Sequence, residues 1–207
     1  VGQRRDGLHL LQSLVCFADV GDRVSVQRVG GPGTPLQFVA TGPFAHDLDG
    51  DAGSNLVVRA AVGLAHLAGR TTDGLRLTLQ KNLPVASGIG GGSTDAAATL
   101  RALIAFWRLH IDHAGVPAAD LAGLALSLGA DVPVCLAAVP AMMEGVGEQV
   151  TPCAIPAGIG VLLVNPGAPV STPAVFRSFA SKGVFSASRA GLAGTEPPDW
   201  LEGLATC

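Results

Sequence analysis

The segment Lys81 to Leu100, KNLPVASGIGGGSTDAAATL, holds the most legible chemistry in this chain, with glycines at positions 88, 90, 91 and 92 at the opening of a small-residue run. Glycine lets the backbone turn and come close to a ligand. The unpaired N–H groups at a helix N-terminus, with the helix dipole behind them, favour an anion. Ser93 and Thr94 add hydroxyl donors at the same place. The chemistry this predicts is the holding of a phosphate group, against the ordinary alternative of a glycine cluster that merely turns the chain. The run is not a Walker A sequence, because no Lys-Ser or Lys-Thr follows the glycines. Nor is it GxGxxG, because Ser93 stands at the last glycine position. Other reactive side chains are less organised. His110, Asp112 and His113 follow a helical stretch with no third histidine nearby and read as a solvated turn. Cys16, Cys135, Cys153 and Cys207 are scattered, with no CxxC, and read as reduced thiols. Phe106 and Trp107 read as packing residues.

The elements that must position the glycine loop follow from periodicity. His9 to Phe17, Arg23 to Val29 and Leu36 to Thr41 read as strands, the second alternating well. A polar stretch then ends in cap-type residues, and Ser54 starts a helix in which Leu56, Ala60, Leu64 and Leu67 share one face. Leu75, Leu77 and Leu79 alternate in the strand leading to the loop. Helices are predicted from about Ser93 to Leu109 and Pro117 to Leu128, and further strands at Val134 to Ala138 and Gly158 to Val164. No internal repeat is visible, and strands grouped before helices predict an α+β fold.

Composition removes several classes. With 48% hydrophobic and 14% charged residues in 207, disorder is excluded. A balance of 13 basic against 16 acidic residues, 4% aromatics and no Tyr supply neither the field nor the stacking platform for nucleic acid. The mean hydropathy of +0.44 raises the membrane question, but the longest apolar stretch, Val132 to Met143, is broken by Pro133 and Pro140. It falls short of the roughly 20 residues a bilayer span requires. No signal-peptide pattern opens the chain, so a cytoplasmic location is predicted.

PVASGIGGGSTDAAA resembles the phosphate-binding motif of the GHMP small-molecule kinases, usually Pro-x-x-x-Gly-Leu-Gly-Ser-Ser. Its triple glycine followed by Ser-Thr-Asp-Ala-Ala is similar to the branch of that family acting on 4-diphosphocytidyl-2-C-methyl-D-erythritol in non-mevalonate isoprenoid biosynthesis. RRDGLHLLQSLVCFADVGDRV, GADVP at 129–133, EGVGE at 144–148 and NPGAPVSTPAVF at 165–176 match the same branch in the same order. The resemblance implies the α+β GHMP kinase fold, with an S5 domain 2-like N-terminal domain over 1–155 and the start of a ferredoxin-like domain over 156–207. It implies ATP-dependent phosphorylation of the substrate's 2-hydroxyl, with Mg²⁺. Another GHMP kinase, or a catalytically inactive nucleotide-binding relative, is the alternative.

Carried over residue by residue, Asp131 falls on the family's catalytic Asp, a general base. Pro84, Gly88, Gly90, Gly91, Gly92, Ser93 and Thr94 fall on the loop holding the ATP phosphates. Lys81 and Asn55 match positions near the adenosine end, with a solvated strand-end Lys and a helix-capping Asn as their ordinary readings. Asp95 would either reach magnesium through water or complement the helix dipole, and no residue is assigned as a metal ligand. His9 matches the His that hydrogen-bonds the cytosine, and Phe176 one of the two aromatics enclosing that ring. The partner implied is a small molecule bearing a cytidine diphosphate group, with no nucleic acid or membrane, bound by a monomer or homodimer. Two departures stand out. Leu8 occupies the place of the second aromatic, normally Tyr in Asp-Gly-Tyr-His, and Leu cannot stack equivalently. The family also normally has a Pro-Ala-Lys-x-Asn-Leu segment before the position matching Val1, and a longer second domain, so the chain is expected to be a fragment of a longer gene product.

Overall fold

The structure is a computed structural model that describes residues 2–3, 9–48, 50–111, 115–156, 158–165, 167, 174–175 and 177–179. In chain order its main elements are β1 Gly2–Gln3, β2 His9–Val15, β3 Arg23–Arg28, β4 Gln37–Thr41, α1 Leu56–Leu67, β5 Leu75–Gln80 and α2 Gly91–Trp107. They continue with α3 Ala118–Leu128, α4 Val132–Ala137, β6 Ala141–Gly145 and β7 Gln149–Pro152. One sheet has the order β3-β5-β4, with β4 and β5 parallel and joined across α1. The other is antiparallel, in the order β1-β2-β6-β7. This is the expected α+β class.

β5 sits in the middle of its sheet and turns Leu75, Leu77 and Leu79 inward, each no more than 1% exposed. They meet Val57 and Leu64 of α1 and Leu100 and Leu103 of α2 in one apolar core. α1 starts at Leu56, two residues after the predicted Ser54, because Ser54 ends a 3-10 turn and Asn55 caps the helix, its side chain accepting from Val57 N–H at 2.9 Å. That bond satisfies one of the orphan donors of the first turn.

Two predicted strands are corrected. Val134 to Ala137 lies in α4, and Ala138 caps that helix in a left-handed conformation. Its short apolar run is ambiguous by periodicity, and Pro133 suits a first helical turn, where no intrahelical N–H bond is required of it. The strand lies beyond Pro140, where Ala141–Gly145 pairs with both β2 and β7, and this hairpin was not predicted. Gly158 to Val164 forms no strand. Leu162 and Val164 are more than 80% exposed and have no ladder to join. The loop helix also begins two residues earlier than predicted, at Gly91. β7 ends at Pro152, just before the expected domain boundary.

Candidate functional site

The helix start at Gly91 organises the site. Gly90, at the N-cap of α2, takes a left-handed conformation (φ 75°) that glycine adopts without steric cost. Thr94 closes the first turn, donating its N–H (2.9 Å) and its hydroxyl (3.1 Å) to the Gly90 carbonyl. That leaves the N–H groups of Gly91, Gly92 and Ser93 without an intrahelical acceptor. Gly91 borders a cavity of about 800 Å³ that is also lined by Gly88, Gly90, Thr94, Asp95 and Asp131, among others.

Asp131 reaches this cavity from the opposite side. It is the N-cap residue of α4, yet its side chain makes no capping bond. A Cβ placed on Gly90 would lie 4.0 Å from Asp131 Oδ2, so the carboxylate faces the glycine loop directly. Its backbone is held on both flanks. Cys135 N–H donates to the Asp131 carbonyl at 3.1 Å, and the β6–β7 turn packs on the preceding peptide. At the apex of that turn Gly147 has φ 108°, and a Cβ there would meet the Ala130 carbonyl oxygen at 2.0 Å. Gly147→Ala is therefore expected to cost on the order of 1–3 kcal/mol of stability and to displace Asp131. Thermal melts with and without nucleotide measure both effects, and an unchanged melting temperature would refute the clasp.

Beneath the loop lies a cluster that no motif announces. Lys81 leaves the end of β5, is 3% exposed, and donates through Nζ to Asp95 Oδ2 at 3.0 Å and to Asp22 Oδ2. Asp22 accepts through its other oxygen from the N–H groups of Asn82 (2.6 Å) and Leu83 (2.9 Å). Burial pushes the Asp95 carboxyl up to about 6, opposed by the charge and hydrogen bond of Lys81, while Asp22 pushes it further up. Burial likewise raises the Cys135 thiol. Its contact with Thr94 opposes the rise and Asp131 adds to it, so the group stays a thiol at neutral pH and is no nucleophile.

The structure therefore brings together Gly88, Gly90, Gly91, Thr94 and Asp131 around one cavity. Pro84 and Ser87 form the turn leading in, Ser87 Oγ donating to the Pro84 carbonyl. Ser93 faces Gly129, one residue before Ala130, and Gly92 lies against Leu56 at the start of α1. Asn55 caps α1. Lys81 is not the solvated strand-end residue of its ordinary reading but an internal cation. Asp95 lies outside the first turn because α2 begins at Gly91, and its carboxylate is bonded inward to Lys81 rather than open to a metal. Among the described residues no group of three or more His, Cys, Asp and Glu could hold a metal ion. His9 is at the far end of β2 from Leu14 and Val15, which line the cavity. His110 is exposed, whereas Leu8, Phe176, Asp112 and His113 lie outside the described residues. The residue missed from sequence is Asp22. Its partners are 59 to 61 positions away, and no local pattern marks it.

Residues 55–138 match the family of the GHMP kinases N terminal domain. The chain is 49% identical over 186 residues to the 4-diphosphocytidyl-2-C-methyl-D-erythritol kinase of Rhizobium meliloti (strain 1021), covering 88% of this chain and 59% of that protein. It is 45% identical over 204 residues to the protein of the same name from Rhizobium johnstonii, covering 99% of this chain and 64% of that one. The kinase of Cereibacter sphaeroides (strain ATCC 17029 / ATH 2.4.9) is 51% identical over 182 residues, which cover 87% of this chain and 59% of that kinase. A crystal structure of 4-(cytidine 5'-diphospho)-2C-methyl-D-erythritol kinase superposes with a TM-score of 0.61 at 33% identity, covering 85% of this chain and 57% of the other. The chain thus spans less than two thirds of the length of these relatives.

Proposed function

We propose, since this chain belongs to the GHMP kinase family, that the whole protein transfers the γ-phosphoryl group of ATP to the 2-hydroxyl of 4-diphosphocytidyl-2-C-methyl-D-erythritol. The observation that carries this reading is the Asp131 carboxylate facing the glycine-crowned N-terminus of α2 across a single cavity. The unpaired N–H groups of Gly91, Gly92 and Ser93 hold the phosphates. Asp131 takes the proton from the substrate hydroxyl as its oxygen bonds to the γ-phosphorus and the bond to the ADP oxygen breaks. No covalent enzyme intermediate is needed. Mg²⁺, when bound with the nucleotide, would offset the phosphate charge.

The other substrate lies along β2. Five residue steps lead from His9 to Leu14, about 17 Å of extended strand, a span suited to a nucleoside diphosphate joined to a four-carbon alcohol. This supports His9 at the cytosine and the reacting hydroxyl near Asp131. The position of Phe176 in VSTPAVF supports its place as one of the two residues enclosing the ring, with Leu8 in the place of the second. The domain boundary near residue 155 belongs to the same reading, and the free thiols Cys16, Cys135 and Cys153 suit a cytoplasmic protein.

The test is ADP release by the full-length protein with Mg²⁺-ATP, with and without the methylerythritol substrate. Turnover dependent on that substrate is expected, and turnover with homoserine or a sugar instead would move the protein to another branch. Leu8→Tyr is expected to lower KM for the cytidine substrate by about two- to tenfold, as an added aromatic contact is worth about 0.5–1.5 kcal/mol. An unchanged KM would show that Leu8 does not border the cytosine.

A further inference from the structure

We propose that the buried Lys81–Asp22–Asp95 triad is the positioning device of the phosphate loop, and that it couples nucleotide binding to the uptake of a proton. The inference rests on the nucleotide reading of that loop. One ammonium ties together three segments that all border the cavity: the β2–β3 loop through Asp22, the exit of β5 through Lys81 itself, and α2 through Asp95. Asp22 fixes the path of Asn82 and Leu83, the residues leading into the glycine loop, by accepting from both of their N–H groups. Lys81 Nζ comes within 3.3 Å of where a Cβ on Gly91 would sit, so the cation is packed directly beneath the anion-binding turn.

The charge count makes the device sensitive to protonation. Two carboxylates share one ammonium, so the ionised triad carries one net negative charge under a site built to hold phosphates. Protonating Asp95 neutralises it. Burial has already raised that carboxyl to about 6, and phosphates arriving above the triad disfavour its ionised form further. Binding therefore draws in a proton, and by linkage affinity falls as pH rises through about 6 and beyond. Asp22 and Lys81 are the charged groups acting on Asp95. Asp131 and Cys135 on α4 and Arg23 at the start of β3 border the same cavity. α1 packs Val57, Ala60, Ala61 and Leu64 into the core, with Arg59 and His66 exposed.

The experiment compares Mg²⁺-ATP binding by the full-length protein and by Asp95→Asn, titrated calorimetrically between pH 5.5 and 8 in buffers of different ionisation enthalpy. Asparagine keeps the size and an acceptor for Lys81 and leaves Lys81 paired with Asp22, so the loop retains its support. The wild-type protein is expected to bind about three- to tenfold more weakly at pH 8 than at pH 5.5, with proton uptake. The variant should stay within about twofold and take up correspondingly less. The nucleotide's own titration is common to both proteins and cancels in the comparison. A shared pH profile would overturn the triad's role while leaving the nucleotide reading intact. Absence of binding at every pH in the wild type would overturn both.

Discussion

Asp131→Asn is expected to lower turnover of the full-length protein by about 10²- to 10⁴-fold, the range by which a positioned general base contributes, with Mg²⁺-ATP affinity changed by no more than about threefold. The expectation rests on how little else the carboxylate does. Its side chain does not cap α4, whose first bonded turn is secured instead by Cys135 N–H on the Asp131 carbonyl. Asparagine fits the same space and leaves the Gly147 contact with Ala130 untouched. What it removes is a proton acceptor facing the loop. The measurement is kcat at saturating substrates together with a nucleotide Kd. A kcat within threefold of wild type would remove Asp131 from the reaction, whereas parallel loss of kcat and binding would make its role structural.

Lys81→Met should be the most destabilising single change in the site, by about 3–5 kcal/mol, because it strands two carboxylates in the interior without their cation. Methionine fills a similar volume, so the loss reports charge rather than a cavity. The effect should depend on pH in a definite sense. In the folded protein Asp95 titrates at about 6, against 3.8 for an ordinary aspartate, so between those values the native state keeps a proton that the unfolded chain has released. The stabilisation linked to that proton is complete below the unfolded value and is lost as pH rises through about 6. Without Lys81 the carboxyl resists ionisation still more strongly. The deficit of Lys81→Met relative to wild type should therefore be larger at pH 8 than at pH 5. Urea unfolding at the two pH values measures it, and equal deficits would show that Lys81 contributes by packing alone.

The contrast between these two residues shows what can be read from a sequence. Asp131 stands in GADVP, a segment similar to a known catalytic segment, so the role proposed for it comes from the sequence even though its secondary structure does not. VCLAA at 134–138 reads as a strand by its sequence, yet its first four residues lie in α4, because five apolar residues carry too little periodicity to separate the two states. Lys81 was also singled out, as a residue near the adenosine. The structure finds it turned inward, held by an aspartate 59 positions earlier and another 14 positions later. Nothing in KNLP distinguishes an inward from an outward lysine.

The local conformations on which the site depends follow from short stretches of sequence. Glycines at 88 and 90 permit the left-handed backbone, Asn55 caps α1, and alternating leucines at 75, 77 and 79 make one face of β5 apolar. Each follows from hydrogen bonds and steric limits within a few residues. Long-range packing sets the rest: the β6–β7 turn clasps Ala130 beside Asp131, β2 and β6 pair across 132 positions at Gln12 and Glu144, and Asp22 and Asp95 share the buried ammonium of Lys81. These depend on which distant surfaces the core brings together. The stability of a buried charge is then set by its surroundings in space, which neighbours along the chain do not specify.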